Sequence, residues 1–156
     1  MRMRRLVLVK GGYERVKEAL EKYREQLYHY NSLISGTGFY LKPLHIVYHT
    51  LADGTRKKYH YYGRYWYRLE RRNGRLVWRY VGREKPRELA DAPDPPPNPL
   101  DGLRFARIGD SNDILLDYET FERFKWLFEG LETLILEVVP SRRSAGLRPA
   151  RREPTV

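Results

Sequence analysis

Cysteine is absent from the 156 residues. That removes disulfides, thiolate metal sites, iron–sulfur clusters and thiol nucleophiles, and it fits a reducing compartment. Long apolar runs are missing too. Leu6-Val-Leu-Val9 and the stretch from Leu134 to Val139, interrupted by Glu137, fall far short of the ~20 residues a membrane helix needs. The opening MRMRRLVLVKGG is charged and then briefly apolar, too short and without the small-residue site of a signal peptide. A cytoplasmic protein without membrane contact is therefore expected. Gln occurs once, at Gln26, and Asn four times, while Arg and Glu are plentiful, a composition suited to a thermophile.

What is abundant is positive charge, with thirty Lys and Arg against twenty Asp and Glu. Its placement is uneven. Residues 55–87 carry twelve bases and two acids, whereas residues 88–139 carry four and twelve. Eight of the 21 aromatic residues fall in the same basic block. Thermophily accounts for many charges but predicts mixed signs. A segregated basic, aromatic block points to a polyanion, because cationic side chains gain affinity by releasing the counterions of phosphates.

The length suits one compact domain or one with a small appendage, and the chain reads as α+β. Leu6 to Val9 form a short strand. Apolar positions at Tyr13, Val16, Leu20, Tyr23, Leu27, Tyr30 and Ile34 then alternate steps of three and four, the stripe of an amphipathic helix. Such a seam could zip a homodimer, although three tyrosines suit packing on a sheet. Asp53-Gly54 and Asn73-Gly74 are type I′ hairpin signals, so Leu44 to Val81 reads as a three-stranded meander.

Pairing through two-residue turns sets Tyr48 opposite Tyr59, Leu69 opposite Trp78 and Tyr67 opposite Tyr80. Alternation then collects Leu44, Ile46, Tyr48, Tyr59, Tyr61, Tyr65, Tyr67, Leu69, Leu76, Trp78 and Tyr80 on one face, the expected core beneath the helix. The other face collects His45, His49, Lys58, His60, Tyr62, Arg64, Trp66, Arg68, Arg79 and Arg83. It sets Arg68 against Arg79 and Arg64 against Arg83, and like charges facing across a ladder are destabilising. A polyanion would relieve them, with Tyr62 and Trp66 stacking on bases, His60 stacking or hydrogen-bonding, and Arg72 and Arg75 at the turn. The competing reading is that Glu70 or a second layer covers these arginines and the aromatics are core on both sides. A bulge at Gly63 would redraw the split.

The domain reading is a basic helix-plus-sheet domain at 1–85, a Pro-rich stiff linker at 86–101 with the run Pro95-Pro96-Pro97, an acidic α/β appendage at 102–140, and a basic tail at 141–156. In the appendage, Leu103 to Ile108 and Ile114 to Leu116 read as strands and Thr120 to Glu129 as a helix. Leu131 to Val139 is strand or helix. Its aromatic patch suggests a protein partner. The tail, SRRSAGLRPARREPTV, lacks periodicity and is expected to be disordered when free.

Catalytic and cofactor signals are poor, so no enzyme, metal or cofactor is expected. His45 and His49 on a strand lie about 13 Å apart, too far for one ion. Asp110, Asp113 and Asp117 form the one carboxylate cluster that could hold Mg²⁺ for a small nuclease, but the pattern is read as a turn and a helix cap. There is no Walker A, GxGxxG or GxSxG sequence.

The run KKYHYYGRYWYRLERRNGRLVWRYVGREKP resembles a short module of archaeal and bacterial mobile-element proteins. The match rests on Tyr65-Trp66-Tyr67-Arg68, Asn73-Gly74-Arg75 and Tyr80-Val81-Gly82-Arg83. The resemblance implies an origin among viral, plasmid or transposon-linked DNA proteins. The expected function is binding of nucleic acid with little sequence preference, single strands favoured, through Lys58, His60, Tyr62, Arg64, Trp66, Arg68, Arg72, Arg75, Arg79 and Arg83. The alternative is an assembly component of a virion or ribonucleoprotein, whose aromatic faces meet other proteins.

Overall fold

The computed structural model describes residues 4–50, 52–54 and 56–138; the expected tail lies outside them. The elements run β1 (Arg4–Val9), α1 (Gly12–Leu33), β2 (Phe39–Thr50), β3 (Arg56–Arg72), β4 (Arg75–Gly82), β5 (Arg104–Arg107), β6 (Ile114–Asp117), α2 (Tyr118–Arg123) and β7 (Thr133–Val138). The strands form one antiparallel sheet in the order β2-β3-β5-β6-β1-β7, with β4 also paired to β3. This is the α+β architecture the sequence predicts, and the final apolar element is a strand.

The chain divides into two compact units. One comprises Met1–Lys17, Ile46–Tyr61 and Gly102–Val156, the other Glu18–His45 and Tyr62–Asp101. α1, β2 and β3 contribute residues to both. The expected boundaries at 85 and 102 are thus corrected, because the charge blocks do not follow the strand pairing. The acidic stretch is no appendage: β1 lies between β6 and β7, and β5 pairs with β3 from Lys58 to Tyr61. Val7 and Val9 on one face of β1 are fully buried and Leu6 on the other nearly so, so both faces of the strand are covered, as suits a strand inside the sheet.

Within the first unit, Gly11 takes a left-handed φ of 75° and its N–H donates to Asp113 Oδ1 at 2.9 Å. A Cβ on Gly12 would lie 2.8 Å from Ile114, so glycine is required there for α1 to start against β6. Asp117 caps α2 by accepting from the Thr120 N–H at 2.7 Å and also pairs with Arg104 at 2.9 Å. Asp113 and Asp117 therefore serve the turn and the cap. The expected helix from Thr120 to Glu129 is shorter, α2 giving way to a 3-10 turn at Lys125–Phe128.

Within the second unit, Val16's stripe continues through Leu20, Tyr23, Leu27, Tyr30 and Ile34, all buried. The Pro-rich segment is not a spacer but part of this packing. Tyr23 Oη donates to the Pro96 carbonyl at 3.0 Å and Tyr30 Oη to that of Pro93 at 2.8 Å. Proline lacks an N–H, so an extended proline run leaves its carbonyls for outside donors. Phenols on the helix meet that need, which explains tyrosine in a stripe otherwise suited to leucine. Leu89 and Leu100 are buried, and Asn98 Nδ2 donates to the carbonyls of Pro43 and Gly63.

His60 is buried in the first unit, stacked on Phe105 with a centroid separation of 4.9 Å and met edge-on by Tyr13 at 5.6 Å. Burial, together with the charges of Arg107 and Lys58, lowers its pKa from 6.5 to about 4. The unfolded chain therefore takes up the proton first as pH falls. The associated stability is complete above pH ~6.5 and is lost progressively down to about pH 4, by on the order of 3 kcal/mol. Thermal unfolding of wild type and His60→Phe across that window tests this. The wild-type midpoint should fall more steeply than the variant's, and parallel curves would contradict it.

Candidate nucleic-acid interface

The β3–β4 hairpin forms with the expected register. Arg68 faces Arg79, Leu69 faces Trp78 and Tyr67 faces Tyr80. Its two-residue tip has Asn73 at φ 49° and Gly74 at φ 76°, both left-handed as a type I′ turn requires. The pairing then slips: Trp66 faces Gly82, leaving Val81 as the extra residue of a bulge. The irregularity in this ladder is at Val81. It turns Arg83 away from the expected position opposite Arg64 and sets its guanidinium 5.6 Å over the Tyr65 ring.

Tyr59 and Tyr65 are buried as expected, but toward the hairpin the two faces exchange the roles the sequence suggests. Trp66 is completely buried and Tyr62 nearly so, with Tyr30 of α1 meeting the Trp66 indole edge-on at 6.3 Å. Phe39 and Leu41 of β2 are buried as well. Tyr62, Trp66 and His60 are therefore core residues and not the stacking platforms expected from the sequence. Trp78 is 52% exposed and Tyr80 45% exposed, although alternation places both in the core. Leu76 and Tyr40 are exposed too.

A second slip, in β2, completes the reassignment. Tyr40 contacts Trp78 at 5.6 Å, and Lys42 Nζ lies 4.8 Å over Tyr67. His45, three residues on, contacts Tyr65 at 5.5 Å and stacks on Tyr80 at 6.4 Å. Residues of opposite parity thus share a face, so alternation breaks at Pro43-Leu44. In the first unit the consequence is that His49, not Tyr48, meets Tyr59, at 4.9 Å. Tyr48 lies instead beneath Arg56 at 4.4 Å and is exposed. Proline cannot donate to a ladder, and its presence inside a strand is the one signal in the sequence for such a break.

The arginine face is not left to repel itself. Arg79 Nε donates to Glu70 Oε2 at 2.6 Å, Arg72 lies 3.6 Å from Glu70, and Arg68 lies 3.6 Å from Glu88. The Arg79 hydrogen bond, helped by the charges of Arg79, Arg72 and Arg68, holds the Glu70 carboxyl below the usual carboxylate range. These are solvent-exposed pairs and individually weak, and they match three arginines to two carboxylates. The expectation that an external polyanion alone relieves the facing arginines is corrected accordingly.

The expected site residues therefore scatter. Lys58 and His60 belong to the first unit, the others to the second. Arg64 is half-buried on the helix-covered face, where its charge reaches Tyr23 and Tyr30. Arg68, Arg72, Arg75 and Arg79 share the outer part of the hairpin, and Arg83 joins the aromatic face. That face gathers Tyr40, Tyr67, Trp78 and Tyr80 with Lys42 and Arg83, a set of half-exposed rings flanked by cations. Among the described residues no group of three or more His, Asp or Glu is placed to hold a metal ion, and no helix is long and apolar enough to cross a membrane.

No family model matches the chain, and no curated protein or solved structure is significantly similar to it.

Trp66→Ala should lower stability by about 3–5 kcal/mol, the cost of removing a fully packed indole. Denaturant unfolding would show it. A loss under ~1 kcal/mol would contradict the buried assignment.

Proposed function

We propose that the protein binds nucleic acid of little sequence preference, single strands favoured, on the open aromatic face of β2, β3 and β4 in the second unit. The observation that carries this reading is the half-exposure of Trp78 and Tyr80 beside Tyr40, with Lys42 and Arg83 over neighbouring rings. Exposed rings of this kind stack on unpaired bases for about 1–3 kcal/mol each, whatever the base. Cations at their margin hold the intervening phosphates. Between Arg64 and Arg83 the chain has seven arginines and one acid, Glu70, which supplies long-range attraction as well. The resemblance of this hairpin to a mobile-element module is in keeping with that role. The reading assigns no catalytic residue and requires no cofactor.

A second reading, assembly with a protein partner, is favoured by one observation elsewhere. At the β7 edge of the sheet, in the first unit, Leu134, Ile135 and Leu136 are all exposed, and among the described residues β7 pairs only with β1. An open edge with three exposed apolar side chains and a single charge, Glu137, invites another strand.

Binding of a labelled oligonucleotide tests the first reading. Trp78→Ala should weaken single-strand affinity by roughly 1–3 kcal/mol with an unchanged salt slope and a stability change within about 0.5 kcal/mol. Lys42→Ala should weaken binding and flatten the slope. Affinity indifferent to Trp78→Ala would overturn the stacking reading.

A further inference from the structure

A single strand lying on the aromatic face leaves the other face of the hairpin unexplained. From Arg71 to Tyr80 every residue but Val77 is exposed, so the ribbon is open on both sides. Its sides differ in chemistry. Register places Arg68 against Arg79 and Arg72 against Arg75 on one, and Tyr67 against Tyr80 and Leu69 against Trp78 on the other. The tip between them is a tight two-residue turn without a bulky side chain. Glu70 and Glu88 leave the arginine side with a surplus of cations.

The two sides require different forms of the same polymer. Stacking requires bases freed from pairing. Guanidinium groups without an adjacent exposed ring require only phosphates, which are densest along a duplex, at one charge per about 1.7 Å of axis. We infer that the β3–β4 ribbon seats at a junction between paired and unpaired nucleic acid, its aromatic side against the unpaired bases and its arginine side against the phosphates of the adjoining duplex. This rests on the single-strand reading above and specifies its ligand. The narrow tip, flanked by Arg72 and Arg75, enters where the strands part.

Fluorescence anisotropy with three probes of common sequence, a single strand, a blunt duplex and a Y-shaped fork, each made in DNA and in RNA, separates the two proposals. The fork should bind about tenfold more tightly than its single-stranded arm alone, in DNA, RNA or both, and the arms show which polymer is meant. Arg68→Gln with Arg79→Gln should bring the ratio of fork to single-strand affinity from about ten to about one, the lower net charge weakening both ligands alike. Arg72→Gln with Arg75→Gln, at the solvated tip, provides the same test should the first pair disturb Glu70. A fork bound no better than its arm overturns the junction and leaves the single-strand reading standing. Absence of single-strand binding overturns both.

Discussion

The placement of the exposed rings of the second unit follows from one packing event, the burial of the Trp66 indole against Tyr30 of the long helix. A helix can cover only one side of a sheet. Once Trp66 and Tyr62 are beneath it, the side bearing Tyr67, Trp78 and Tyr80 is the one left open. The helix is held in that position by more than apolar contact, because its phenols donate to the carbonyls of Pro93 and Pro96. Burial pushes the pKa of both phenols up, so they remain protonated donors over the physiological range. The proline segment is thereby a working part of the fold, with Asn98 bonded to the carbonyls of Pro43 and Gly63.

Beyond the covered part of β3 the hairpin continues with solvent on both sides. Its stability there rests on cross-strand pairs, Tyr67 with Tyr80 at 5.5 Å and the Arg79–Glu70 hydrogen bond at 2.6 Å. Solvent-exposed contacts of this kind are individually weak. Large exposed rings in such a place do little for the core. Their chemistry, π-surfaces beside cations, suits a ligand that offers both flat faces and negative charge.

Much of the secondary structure was legible in the residues. The three-four spacing from Tyr13 to Ile34 gives α1, and Asn73-Gly74 gives the hairpin and its register as far as Tyr67. The orientation of the sheet was not legible. Both sides carry aromatics, and counting apolar residues favours the side with Leu76 and Trp78, which in fact runs beyond the helix. Two local slips, at Pro43-Leu44 and at Val81, each change which side a residue faces. Alternation carries no memory of such slips, so Arg83 and His45 were placed wrongly by a rule that held for their neighbours. The domain boundaries failed for a different reason. Charge blocks record solvent-facing chemistry, whereas the pairing of β1 with β6 and β7 is set by buried valines and leucines.

The most direct test of the account is tryptophan accessibility. The chain has three tryptophans, of which Trp66 is sealed and Trp78 and Trp126 are half-exposed. Variants retaining one each, made by Trp→Phe replacement of the others, can be titrated with acrylamide and then with an oligonucleotide. The account predicts that Trp66 emission is shielded from acrylamide and indifferent to the oligonucleotide, while Trp78 is quenched by both. Ready quenching of Trp66 with Trp78 protected would place the helix on the other side of the sheet and contradict it.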